Sequence, residues 1–191
     1  MPTLQSLSAI DRQLENTDVL SPSHNALQHA DLSVTRQWMR LLLWKLAIPV
    51  VPMVTTAPEQ LNSMLFPATA ARQLLSTTSD IPLDILEAHG PGMELKLFSF
   101  ANSVADVLTC LPDRVIETSA LTPRAYLVEF ARKLTAFRGG NSALLPVLQS
   151  RLADVGLDVP APSRIQELGC DFSDSDDTNV SIASLNFNQE H

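Results

Sequence analysis

Cysteine is nearly absent: Cys110 and Cys170 are the only two thiols in 191 residues. Two cysteines cannot build a framework of several disulfides, nor supply the four ligands of a cysteine-rich zinc site without help from histidine. They read as reduced, intracellular thiols. Glycine is also scarce, six in all, and no Gly-rich loop able to cradle a phosphate can be assembled from them. The longest apolar stretch, LLLWKLAIPVVPMV over 41–54, holds Lys45, Pro49 and Pro52, and it falls short of the roughly 20 apolar residues a membrane helix needs. The first twenty residues have no basic start followed by an apolar run, which argues against a secretory signal peptide. Positive charge is in deficit as well. Thirteen Lys and Arg against 21 Asp and Glu leave a formal charge of −8, the wrong sign for duplex nucleic acid or an anionic membrane, so direct contact with either is not expected.

What remains is a chain that is 45% hydrophobic, enough for one packed core at this length. Apolar residues recur at spacings of three and four, and no β-branched run bounded by hairpin turns occurs, so the fold class is all-α. The expected architecture is an antiparallel multi-helix bundle with a flexible N-terminus and a disordered acidic C-terminal tail. Three regions follow: a flexible lead-in over 1–32, a helical domain over 33–158, and a linker with acidic tail over 159–191. Within the lead-in, residues 4–15 form a weak helix at best, and Ser21-Pro22-Ser23 breaks it.

Ser33 is positioned to cap a helix to Ala47, with Trp38, Leu42, Trp44 and Leu46 available for packing and Pro49 ending it. A short helix over 68–76 follows Phe66-Pro67. Another covers 81–89, capped by Ser79 or Asp80, and the Gly-Pro-Gly at 90–92 turns the chain into the next helix. That helix, 93–111, carries Leu97, Phe100, Ala101, Val104, Leu108 and Leu111 on one face. Thr122-Pro123 opens a helix to Phe137 with Leu127, Phe130, Ala131, Leu134 and Phe137 inward. Asn141 or Ser142 starts a last one to Val155 with Leu144, Leu148 and Leu152 inward.

Catalytic constellations are missing. His24 and His29 are five apart with no glutamate between them, whereas a zinc-peptidase pair needs i and i+4 on one helical face. His89 suits a helix end, where an imidazolium meets a favourable dipole. The same dipole disfavours a thiolate at Cys110, which reads as a packing residue, and acidic neighbours raise rather than lower the pKa of Cys170. Neither cysteine is a plausible nucleophile, and no enzyme is expected.

The last twenty-one residues, DFSDSDDTNVSIASLNFNQEH, hold five acidic residues and no Lys or Arg, leaving sixteen acidic against thirteen basic in residues 1–170, a net of −3. A calcium loop starting at Asp171 fails at its sixth position, where Asp176 replaces glycine, and at its twelfth, where Ile182 replaces glutamate. The Asp-Ser-Asp-Asp run at 174–177 lacks the apolar cavity that a proton-donating aspartate requires. Asn179-Val180-Ser181 matches a glycosylation acceptor only by accident without a signal peptide. Acidic residues interleaved with Phe172, Val180, Ile182, Leu185 and Phe187 do match the composition of amphipathic activation segments, in which charge keeps apolar groups exposed for a partner groove. Phe172, Leu185 and Phe187 with Asp174, Asp176 and Asp177 are the candidate partner-binding residues. Ser173 followed by acidic positions suits an acid-directed kinase.

Three segments carry a family resemblance: VTRQWMRLLLWKLAI at 34–48, LEAHGPGMELKLFSFANSVADVLTCLP at 86–112, and NSALLPVLQSRLADV at 141–155. Together they resemble the regulatory domain of fungal zinc binuclear cluster transcription factors, with a Trp- and Arg-bearing helix, a His-Gly-x-Gly turn (His89, Gly90, Gly92) and a helix patterned Lys96-Leu97-Phe98, Ala101, Ala105-Asp106-Val107-Leu108. The resemblance covers 33–155 and implies a helical regulatory or effector-sensing module that governs transcription in a nucleus, often of metabolic genes, including secondary-metabolite clusters. Its implied partners are the transcription machinery or a regulatory protein, with a small-molecule effector. The six-cysteine element that holds two zinc ions in that family, the basic linker and the coiled coil have no counterpart here. DNA and zinc binding are therefore assigned to no residue of this chain, and zinc enters only if a cysteine cluster lies upstream. The chain is then expected to be the C-terminal part of a longer regulator, a truncated product or a stand-alone relative. Two other readings stand beside this one. A helical ligand-binding protein or enzyme could use Trp38, Trp44, Phe98 and Phe100 to line a pocket, and a helical adaptor would bind a partner protein.

Overall fold

A computed structural model describes residues 3–16, 25–140 and 142–157. The expected activation residues Phe172, Asp174, Asp176, Asp177, Leu185 and Phe187, the kinase site Ser173, and also His24 and Cys170 lie outside the described residues. Within them the chain is helical: α1 (Leu4–Asn16), α2 (Ala26–Ala47), α3 (Phe66–Thr77), α4 (Leu83–Glu87), α5 (Pro91–Cys110), α6 (Asp113–Thr118), α7 (Pro123–Ala136), a 3₁₀ turn (Phe137–Gly140) and α8 (Leu145–Asp154). An isolated parallel bridge joins Val54 to Ser63, and no strand forms among the described residues.

α5 is the element around which the others gather. It touches α2, α3, α4, α7 and α8, and its most extensive partner is α7. The face expected from spacing is the face buried: Leu97, Phe100, Ala101, Val104, Leu108 and Leu111 on α5 meet Leu127, Phe130, Ala131, Leu134 and Phe137 from the α7 segment. The rings of Phe100 and Phe130 stack with centroids 5.7 Å apart and planes 12° from parallel, an arrangement that adds to area burial where it is offset. α8 adds Leu145, Leu148 and Leu152. Leu144, expected inward, is only half-buried: α8 starts at Leu145, three residues after Ser142, which leaves Leu144 at its N-cap and gives the core position to Leu145.

Several boundaries differ from the sequence reading for identifiable reasons. α2 begins at Ala26, where the Asn25 side chain accepts a hydrogen bond from the Leu27 amide at 3.1 Å. Ser33 is therefore not a cap but a fully buried mid-helix residue. Leu46 does not pack; it is 57% exposed, while Val34, Leu41, Trp44 and Ala47 form the inward line. The expected lead-in also departs from the structure. Residues 4–16 form α1, which packs on α2, and the first turns of α2 fall inside the same region. α4 is only five residues long, because Pro82 takes the N-cap position rather than the first helical one. Pro112 ends α5 and also N-caps α6, a helix the sequence reading missed. Cys110, expected to pack, is exposed, since it lies off the buried stripe at the last residue of α5.

Side-chain bonds tie this frame together. Trp44 Nε1 donates to the Ser63 carbonyl at 2.8 Å and anchors the 48–65 segment to α2. His89 Nε2 donates to the Leu27 carbonyl at 3.0 Å. Lys96 Nζ donates to Asp31 Oδ1 at 3.0 Å and to Thr35 Oγ1 at 2.6 Å, and the hydrogen bond from Lys96 holds the Asp31 carboxyl below its ordinary value. On the other side, Arg151 bonds Asn102 at 3.1 Å and Asp106, Arg124 reaches the Val155 carbonyl at 2.9 Å, and the Ser142 hydroxyl donates to the buried Glu94.

Two outcomes follow. Gly90 sits at φ 67, ψ −152 ahead of Pro91, a region open essentially to glycine alone, and an added Cβ there would meet nothing within 4 Å. Gly90→Ala is thus expected to cost about 1–3 kcal/mol in denaturant titration through backbone strain alone. Asp31 is lowered in the folded state, so its contribution is complete above the unfolded carboxylate value of about 4 and is lost as pH falls through that region. Lys96→Met should reduce the acid-side slope of stability against pH, measured by denaturation at stepped pH.

Candidate functional site

Arg40 is 2% exposed, although it carries a full charge and sits one residue before the apolar run that begins at Leu41. It shares the inward side of α2 with Ser33, Gln37 and Trp44, at spacings of three and four. A guanidinium does not give up its proton, so its burial demands compensating partners. Asp11 on α1 supplies a two-point contact, from Arg40 Nε to Oδ1 at 2.7 Å and from Nη2 to Oδ2 at 3.2 Å. This is the fork-to-fork geometry that makes Arg–carboxylate pairs strong. Gln73 on α3 accepts from Nη1 at 2.6 Å, Gln37 accepts from the same nitrogen at 3.5 Å, and Glu15 lies 3.5 Å from Nη2. The guanidinium carbon also stands 5.5 Å from the centroid of the Phe66 ring, within cation–π range.

This cluster forms one wall of a cavity of about 360 Å³ between α1, α2 and α3, lined by Glu15, Arg36, Gln37, Arg40, Arg72, Gln73, Ser76 and Thr77. A second cavity, also about 360 Å³, lies between α1 and residues 59–62 and includes Asp11, Arg12 and Glu15. The first is walled by three guanidinium groups and a single carboxylate. Arg36 is half-buried, and its guanidinium is held below its ordinary value, first by burial and then by the charge of Arg40, with Glu15 opposing. The arrangement offers fixed hydrogen-bond donors and positive potential. No group of three or more His, Cys, Asp or Glu among the described residues is placed to hold a metal ion.

Trp38, Trp44, Phe98 and Phe100, proposed from sequence as pocket-lining aromatics, line neither cavity. Trp44 and Phe100 are buried in the packed core, while Trp38 and Phe98 pack at its margin. The residues that do build the cavity escaped the sequence reading. Asp11 and Arg40 are 29 positions apart, and no local motif joins them. The available signal was an arginine and two polar residues, Ser33 and Gln37, on the line that also carries Val34, Leu41 and Trp44. A charge on a core line calls for a buried counter-charge from another element.

The chain matches no protein-family model and no solved structure. It does match curated fungal proteins. It is 31% identical over 106 residues to the respiratory transcription factor ZNF1 of Saccharomyces cerevisiae, covering 56% of this chain and 23% of that protein. It is 30% identical over 106 residues to the maltose fermentation regulatory protein MAL63 of Saccharomyces cerevisiae, covering 56% and 22%. It is 30% identical over 110 residues to the probable sucrose utilization protein SUC1 of Candida albicans, covering 56% and 21%. The match thus spans less than a quarter of the length of each of these relatives. The first two are named as regulators, and no catalytic activity appears in any of the three names.

The buried pair generates a sharp expectation. Asp11→Ala leaves Arg40 buried without its bidentate partner and should destabilise the protein by about 3 kcal/mol in urea titration. Replacing both members together, Asp11→Leu with Arg40→Met, should cost less than Asp11→Ala alone, because no charge is then stranded.

Proposed function

We propose that this chain is a transcription-regulatory module of a fungal regulator of metabolic genes, acting in the nucleus through protein contacts. The observation that carries this reading is the 31% identity over 106 residues to the respiratory transcription factor ZNF1, joined by the maltose and sucrose proteins at 30%. Respiration and sugar use in those names favour genes of carbon-source use over secondary-metabolite clusters as targets. The helical domain, with α5, α7 and α8 antiparallel at its centre, is the scaffold, and the acidic segment 171–191 is the contact for transcription machinery or a regulatory protein. The chemistry supports this. The segment holds five acidic residues and no Lys or Arg, and acidic residues interleaved with Phe172, Leu185 and Phe187 keep those side chains available to an apolar groove. Phosphorylation at Ser173 would add negative charge beside Asp174.

The test is a reporter assay with the whole chain, and separately residues 156–191, fused to an unrelated DNA-binding domain. Transcription several-fold above the DNA-binding domain alone is expected from at least one fusion, reduced by the triple change Phe172→Ala, Leu185→Ala, Phe187→Ala. Reporter output unchanged by both fusions sinks the reading.

A further inference from the structure

We infer that the cavity walled by Arg36, Arg40 and Arg72 is a binding site for a small hydroxylated organic anion, one that carries a carboxylate or phosphate group beside several hydroxyls. The inference goes beyond the regulatory reading and does not depend on it.

Four observations converge. The cavity volume of about 360 Å³ lies at the lower end of small-molecule sites and fits a ligand about the size of a hexose. Its charge is unbalanced: Arg36, Arg40 and Arg72 stand against two carboxylates, Glu15 in the wall and Asp11 paired with Arg40, which leaves an excess of one positive charge. Arg40, whose N–H groups are taken up by Asp11, Gln37, Gln73 and Glu15, adds fixed positive potential behind the cavity rather than a free donor, which leaves Arg36 and Arg72 as the groups that would meet an anion. Arg72 is an exposed cation for which no hydrogen bond or ion pair is found among the described residues. A guanidinium at the rim of a cation-rich cavity is suited to the fork-shaped capture of an oxyanion.

The remaining lining narrows the ligand class. Gln37 and Gln73 place amide groups in the wall, Ser76 and Thr77 place hydroxyls there, and Glu15 contributes an acceptor. That set recognises hydroxyl groups, which both donate and accept. A bare inorganic ion would leave these groups without a role, and a neutral polyol would leave the excess of guanidinium charge without one. The guanidinium of Arg36 is held below its ordinary value first by burial and then by the charge of Arg40, and an anion in the cavity would offset the second of these.

The experiment is isothermal titration of the full chain with four probes: glucose 6-phosphate, gluconate, glucose and inorganic phosphate. The sugar phosphate and the sugar carboxylate distinguish the two oxyanions. Binding of at least one of them is expected, at least tenfold tighter than glucose or inorganic phosphate, and Arg72→Gln should weaken it by about tenfold. Arg72 is exposed, so circular dichroism and thermal midpoint should be unchanged in that variant. Arg36→Gln gives an independent second reading with the same expected direction. The inference is overturned if neither organic anion binds at up to about 10 mM, if glucose binds as tightly, if inorganic phosphate binds as tightly, or if both arginine variants leave affinity unchanged. Because the readout is direct binding, a silent transcription reporter leaves this result intact, and an active reporter does not rescue a failed titration.

Discussion

A guanidinium that cannot discharge is buried in this protein, and the first half of the chain is arranged to accommodate it. Arg40 draws Asp11 from α1, Gln73 from α3 and the face of Phe66 into one cluster. Its demand for partners explains why α1, with only Leu7 and Asp11 buried, has a defined seat at all: little apolar surface recommends that helix, whereas a bidentate ion pair fixes both its position and its rotation. Such a pair is weak as a source of net stability and strong as a penalty for wrong arrangements. The contribution of Arg40 is best understood as fixing which way three helices meet.

The second half of the molecule follows a different logic. α5, α7 and α8 meet through leucine, phenylalanine and alanine, with the Phe100 and Phe130 stack at the centre. Polar contacts there are few inside, where Ser142 donates to the buried Glu94, and otherwise lie at the margin, where Arg151 reaches Asn102 and Asp106 and Arg124 caps the Val155 carbonyl. Between the halves, α2 and α5 are fastened by the Lys96 contacts to Asp31 and Thr35. The cavity thus opens in the polar half, and the apolar half serves as the rigid support behind it.

How much of this the sequence disclosed depends on whether the cause was local. Spacing in 93–111 and 122–137 picked out residues that are all buried, because an amphipathic stripe is written into consecutive turns, although α5 also buries Met93, Glu94, Ser103, Ala105 and Val107 beside that stripe. The Gly90-Pro91 entry to α5 was readable for the same reason. Asn25 as the true cap of α2 was missed because Ser33 offered an equally good local signal, and tertiary burial decided between them. Leu46 and Leu144 were misassigned by one helical position each, an error of phase rather than of type. The Arg40 cluster was illegible in a stronger sense, since it joins residues from three helices and obeys no short spacing. The likeness to fungal regulators, in contrast, was carried by ordered helix patterns, and sequence comparison recovers the same class of protein.

The Asp11 contact also sets how the molecule comes apart. If α1 lifts away, little apolar area is exposed, and Arg40 passes from a buried setting to water, which recovers hydration that its burial had removed. Separation of α1 is therefore far less costly than separation of α5, whose departure would expose the stacked phenylalanines. Amide exchange should accordingly divide the chain into an early-opening unit, Leu4–Asn16, and a late one built on α5 and α7. One ionic contact makes the amino-terminal helix a detachable subunit of the fold.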